Sequence, residues 1–232
     1  MNELSQRFKS IELIIFDIDG VLVNVSMSYR RAIKETVEFF YGKEIDKSEV
    51  QALKNETGFN NDWDLTQELL RRKNLFPSRD SIVEQFQSLY WGDNGNGFIQ
   101  DEEWLLEDGI LNTLSNSFKL SIFTGRPREE ALFILDKNNV LKYFNPIIAM
   151  EDVTHGKPHP EGILNISKAL SIDPIKICYL GDTFDDVRSA KRAGALPIGV
   201  LAPSVSENVI PTFLSEGVFT VFKDVNEVEK VL

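Results

Sequence analysis

Residues 11–24 read IELIIFDIDGVLVN: four consecutive apolar residues, Leu13 to Phe16, run into two aspartates, Asp17 and Asp19, and then a glycine. A run this short and uniformly apolar fits a strand buried on both faces, as in a parallel sheet covered by helices. A sheet of that kind needs further short apolar strands joined by crossover helices, so the requirement reaches along the whole chain. The run also poses a chemical problem. Two carboxylates one residue apart repel each other unless a positive charge sits among them.

The second half of the chain supplies the strands. Apolar runs predict strands over residues 13–17, 119–124, 146–150, 177–180 and 197–201, with an edge strand near 218–222. Helical patterns lie between them at 128–137, 161–170, 185–192 and 207–214. Strands alternating with helices predict an α/β fold, a Rossmann-like parallel sheet with helices on both faces. The stretch between the first two strands breaks the rhythm and reads as four successive helices, over 27–40, 48–55, 64–73 and 81–90. The expected organisation is therefore an α/β core over residues 1–23 and 106–232 with an α-helical cap inserted over 24–105.

Composition narrows the partners. With 25 Lys and Arg against 36 Asp and Glu the formal net charge is −11, a surface that repels polyanions, so no nucleic-acid partner is expected. An anionic substrate is admissible only where a metal ion or local cations invert the field. No apolar run approaches the ~20 residues that span a bilayer, and the N-terminal MNELSQRFKS has no apolar leader core, so no membrane association is expected. The single cysteine, Cys178, lies in the apolar run IKICYL and reads as a small buried hydrophobe. Together these points predict a cytoplasmic protein, a monomer or homodimer.

Open parallel sheets bind ligands beyond the carboxyl ends of their strands. The first strand ends in Asp17 and Asp19, the second in FTGRP with Thr124, Gly125 and Arg126, and the fourth in GDTFDD with Asp182 and Asp186; after the third comes THGKPHPEG with Lys157. Taken singly, each has an ordinary explanation: strand-end aspartates make turns and helix caps, and a lone turn lysine is a solvated charge. Taken together they make one site. Asp17, Asp19 and Asp182 are hard oxygen donors of the kind that Mg²⁺ selects, and the ion would relieve the repulsion between the first two. Thr124, the backbone near Gly125, and Lys157 can grip phosphate oxygens, while Arg126 either reaches a substrate anion or serves the start of the next helix.

The four motifs, in this order and spacing, resemble the haloacid dehalogenase superfamily over nearly the whole chain: DIDGVL its first motif, the Thr of FTGR its second, the Lys of GKPHPEG its third and GDTFDD its fourth. The helical insertion after the first motif is similar to the capped subgroup that includes phosphoglycolate phosphatases and β-phosphoglucomutases. The resemblance implies a Mg²⁺-dependent phosphatase acting on a small phosphorylated metabolite. Asp17 would be the nucleophile that forms an aspartyl-phosphate, and Asp19 the acid and base. Asp17, the Asp19 backbone carbonyl and Asp182 would hold the metal, with Asp186 acting directly or through water. Thr124 and Lys157 would hold the transferring group. Dehalogenases proper lack the second acid, so Asp19 points to phosphoryl transfer. A phosphomutase or a catalytically idle binding protein of the same fold are the alternatives. Val21 and Asn24 depart from the residues common in relatives, Thr and Asp.

Two cap segments stand out. Residues 58–66, GFNNDWDLT, read either as a specificity loop through Asn61, Trp63 or Asp64, or as a capped helix with a packed Trp. Residues 92–103, GDNGNGFIQDEE, match a calcium loop through Asn94, Asn96, Gly97, Ile99 and Glu103. Gly92 stands where the first ligand is required, so the segment reads as a turn and connector. Trp91, Trp104, Phe39, Phe40 and Phe86 are expected to pack the cap; His155 and His159 flank Lys157 without a partner pattern for zinc and are expected to serve the loop or support the site from behind.

Overall fold

The first apolar run is strand β1, Leu13–Phe16, and all four of its side chains are fully shielded from solvent in the computed structural model. Burial of side chains this size contributes roughly 1.5–3 kcal/mol each, which favours β1 as the centre of a sheet. The structure describes residues 3–54, 56, 61–203 and 205–231, without the side chains of 3–5 and 231. The remaining strands of the main sheet are β2, Lys119–Phe123; β3, Phe144–Ile148; β4, Ile177–Gly181; β5, Leu196–Val200; and β6, Thr220–Phe222. Every pairing is parallel and the strand order is β3-β2-β1-β4-β5-β6. The chain builds outward from β1 in one direction through β2 and β3, then in the other through β4, β5 and β6. The order therefore reverses beside β1, which is where sheets of this type place their ligands.

Alternation along β1 sends its side chains to opposite faces. Leu13 and Ile15 pack with Phe123, Tyr179, Ile163 and Ile166 of the helix Glu161–Leu170, and Ala190 and Ala193 of the helix Phe184–Ala193. On the other face Phe16 meets the Phe144 ring edge-on at 6.0 Å. Cys178 is fully buried on β4, and burial pushes its thiol pKa well up, so it behaves as the packed apolar residue expected.

The chain divides into two compact units, Met1–Asn24 with Trp104–Leu232, and Val25–Glu103. The second unit is helical, with Tyr29–Tyr41, Lys47–Lys54, Asp62–Arg72 and Arg79–Tyr90. Inside it Tyr29 stacks on Tyr90 at 4.0 Å, and the buried Glu102 carboxylate accepts from Ser28 Oγ at 2.7 Å and Tyr90 Oη at 3.1 Å. Phe86 is fully buried, but Phe39, expected to pack, is 63% exposed. Asn61 Oδ1 accepts the amides of Trp63 and Asp64 at 3.0 and 3.2 Å, the capped-helix alternative for that segment; residues 57–60 lie outside the described residues. In the calcium-like stretch Asn96 Oδ1 accepts the Asp93 amide at 2.7 Å, a turn contact.

Candidate active site

Asp17 extends the ladder one residue past β1: its amide donates to the Leu180 carbonyl at 2.9 Å, which sets its side chain at the carboxyl end of the sheet. The chain then turns at Gly20, which has φ +75 and donates its amide to Val23 at 2.8 Å. The positive φ favours glycine, and a Cβ there would stand 2.1 Å from Asp182 Oδ2, so any other residue would push the Asp182 carboxylate out of place.

The fourth motif folds as a capping box. Thr183 Oγ1 accepts the Asp186 amide at 3.2 Å, and Asp186 Oδ2 accepts the Thr183 amide at 3.0 Å and its hydroxyl at 2.6 Å. The other oxygen, Asp186 Oδ1, faces Lys157 Nζ at 2.7 Å and the Tyr179 hydroxyl at 2.9 Å. One carboxylate thus starts a helix with one oxygen and organises the site with the other.

Lys157 is the centre of the arrangement. Its Nζ lies 2.9 Å from Asp17 Oδ1 as well as 2.7 Å from Asp186, and 5.3 and 5.6 Å from the centres of the Phe123 and Tyr179 rings. Burial alone would push the ammonium pKa down, but Asp17 and Asp186 more than offset that and hold it above the ordinary lysine value, so the charge persists. Asp17 shows the opposite balance: burial, helped by the charges of Asp186 and Asp19, outweighs the pull of Lys157 and leaves its carboxyl raised to about 7. Burial, with Asp186 and Asp17 nearby, also keeps the Tyr179 phenol protonated.

The second motif closes the other side. The Thr124 amide donates to Ile148 at 3.0 Å, continuing β2 toward β3, and Thr124 Oγ1 accepts the Arg126 amide at 3.2 Å, leaving its own proton to be donated elsewhere. Arg126 is buried, with 1% of its surface exposed, and its Nε and Nη2 both lie 2.5 Å from Asp19 Oδ1. The sequence left Arg126 between a substrate anion and a helix start; the structure sets its guanidinium on Asp19. Arg126 and Lys157 therefore each meet an aspartate of the first motif.

The expected site residues thus gather at one end of the sheet. Asp17, Asp182 and Asp186 each offer an oxygen, and the three lie within 4.8 Å of one another. This all-carboxylate donor set fits a hard divalent cation. Tyr179 is the site residue sequence reasoning missed. Its signal was a phenol inside an apolar parallel strand, where the hydroxyl must find a partner.

The sequence profile of the haloacid dehalogenase-like hydrolase family matches residues 14–200. The chain belongs to that family. Among curated relatives, an imidazoleglycerol-phosphate dehydratase of Phytophthora nicotianae is 34% identical over 200 residues, 83% of this chain and 44% of that protein, so the chain spans less than half of its length. Pyrophosphatase PpaX of Bacillus pumilus is 25% identical over 82% of this chain and 83% of its own. A solved structure from Haemophilus somnus 129PT, described as a predicted phosphoglycolate phosphatase, shares the fold with a TM-score of 0.76 at 18% identity, covering 96% of this chain and 98% of that one. The family and its phosphatase-named members are consistent with a phosphoric monoester hydrolase. Among the described residues, no helix is long and apolar enough to cross a membrane.

Proposed function

We propose that the chain is a Mg²⁺-dependent phosphatase that hydrolyses a small phosphorylated metabolite through an aspartyl-phosphate on Asp17. The observation that carries this reading is the buried Lys157 ammonium held between Asp17 and Asp186, beside the Asp19–Arg126 pair. Asp17 attacks phosphorus; the bond to the ester oxygen breaks, and Asp19 delivers the proton that the leaving oxygen needs. Water then attacks the phosphorus of phospho-Asp17 while Asp19 takes its proton, which releases inorganic phosphate and restores both acids. Thr124 Oγ1, the Gly125 amide and Lys157 hold the phosphoryl oxygens through both steps. Asp17, the Asp19 carbonyl and Asp182 would hold the cation, with Asp186 joining directly or through a water while its Oδ1 positions Lys157. When bound, Mg²⁺ supplies positive charge that offsets the repulsion between the carboxylates and an incoming phosphate.

The decisive test is a panel of phosphate esters with and without Mg²⁺. It should include pyrophosphate, phosphoglycolate, imidazoleglycerol phosphate and β-glucose 1-phosphate, with analysis of products. Release of inorganic phosphate only with Mg²⁺ is expected; transfer between sugar hydroxyls would show a mutase, and no turnover of any member would defeat the proposal. Mg²⁺ should also raise the melting temperature, since a ligand at 100 times its Kd adds about 2.7 kcal/mol to the native state. Asp182→Asn is expected to lose most of that shift, and an undiminished shift would remove Asp182 from the ligands.

Arg126 is assigned here to hold the Asp19 carboxylate in position for proton transfer. General acid–base catalysis is worth roughly 10²–10⁴-fold. Arg126→Gln is therefore expected to slow hydrolysis of an alkyl phosphate by about 10²-fold and that of p-nitrophenyl phosphate, whose leaving group needs no proton, far less. Equal losses on the two esters would make Arg126 a purely structural residue.

A further inference from the structure

The chain has two histidines, and both lie in the loop that carries Lys157. Both aim at one carboxylate oxygen: His155 Nδ1 is 3.2 Å and His159 Nδ1 is 3.8 Å from Glu161 Oε2, and one ring nitrogen of each histidine and one Glu161 oxygen all lie within 4.8 Å of one another. Four-coordinate Zn²⁺, with bonds of about 2.0–2.1 Å, sets its ligand atoms roughly 3.3 Å apart. Two of the three spacings are already close to that value. The third closes by rotation of imidazoles whose side chains are 65% and 50% exposed.

The frame under these donors is fixed. Glu161 Oε1 accepts the Thr154 amide at 2.7 Å and Oε2 the His155 amide at 3.0 Å, which sets the plane of the carboxylate. The His159 amide donates to Gly156 at 3.0 Å, and its carbonyl accepts from Ser189 Oγ at 2.9 Å. Arg192 reaches the Pro158 carbonyl at 3.0 Å. A single imidazole would suffice to pair with Glu161. A second, converging on the same oxygen from a tethered backbone, gives the donor set of a transition-metal site, with a coordination position left for water.

We infer that His155, His159 and Glu161 form a binding site for a transition-metal dication of the Zn²⁺ type. Its two nitrogens and one oxygen distinguish it from the all-oxygen group of Asp17, Asp182 and Asp186, which suits Mg²⁺. Occupancy would tie the two flanks of Lys157 together across Glu161. The inference does not depend on the phosphatase reading.

The test is calorimetric titration of the untagged full chain with Zn²⁺ in excess Mg²⁺, alongside the visible absorption of Co²⁺ as a reporter of nitrogen ligation. One Zn²⁺ per chain is expected. His155→Ala and His159→Ala should each weaken it at least about tenfold, since even loss of an outer partner costs roughly 10–100-fold. Both variants should keep the wild-type melting temperature in EDTA. Stoichiometric binding that survives both substitutions, binding lost in Asp182→Asn instead, or the absence of stoichiometric binding would each overturn the inference.

Discussion

Asp17→Asn is expected to abolish hydrolysis, by at least ~10⁴-fold, and to leave the fold intact, because on the proposed mechanism loss of the nucleophile removes the covalent route rather than slowing it. The amide is isosteric, and the Lys157 ammonium keeps its contact with Asp186 at 2.7 Å. The stability outcome separates this result from misfolding. The Asp17 carboxyl titrates near 7 in the folded chain against an ordinary 3.8, with burial the leading cause. The folded state therefore binds that proton more tightly than the unfolded chain. Stability falls as pH rises from 3.8 towards about 7, where the unfolded carboxyl has ionised first, and the loss is complete above the folded value. Asparagine has no such titration. In EDTA at about pH 8 the variant should melt no lower than wild type, and acidification to about pH 5 should favour wild type more than the variant. A purified variant that turns over phosphate esters at the wild-type rate would refute the nucleophile assignment.

The sheet was legible because burial on both faces leaves a plain mark: β1, β2, β4 and β5 are short apolar runs, and each was placed to within a residue or so. β3 was placed two residues late, since Pro146 reads as the start of a strand. It stands third in an outer one, where its missing N–H is tolerated and its carbonyl accepts from Ser121 Oγ. The helix Ile110–Ser115 escaped notice because six residues are too few to show a 3.6-residue period.

The site residues were legible as types at strand ends, but not as pairs. Nothing local to Arg126 says that it meets Asp19, 107 positions away, because the contact is made by two loops that only the sheet brings together. Asp186 was ambiguous for a physical reason. Its cap geometry and its contact with Lys157 are both real, one to each oxygen, so the structural and functional readings did not compete. Glu102 was hidden inside a segment judged by its calcium-like spacing; its role lies in partners 74 and 12 residues away, Ser28 and Tyr90.

Lys157→Met is expected to cost both turnover and stability, and the two losses are separable. Removing one member of a buried ion pair costs roughly 3–5 kcal/mol, since the partner is left charged without compensation. Here two partners are left, Asp17 and Asp186, both within 3 Å of the missing ammonium and both buried. Methionine keeps an unbranched apolar side chain of similar length beside Phe123 and Tyr179, so the loss is electrostatic rather than a cavity. Without the cation the carboxylates hold protons more tightly, so the defect is greatest at neutral pH and shrinks as acid protonates them. Adding Asp17→Asn to Lys157→Met removes one of the two crowded charges and should recover much of the melting temperature at neutral pH. Hydrolysis should stay down by ~10³-fold or more in both, since neither retains both the phosphoryl clamp and the attacking carboxylate. If the single variant melts with wild type at neutral pH, or the double variant recovers nothing, Lys157 does not balance the buried carboxylates.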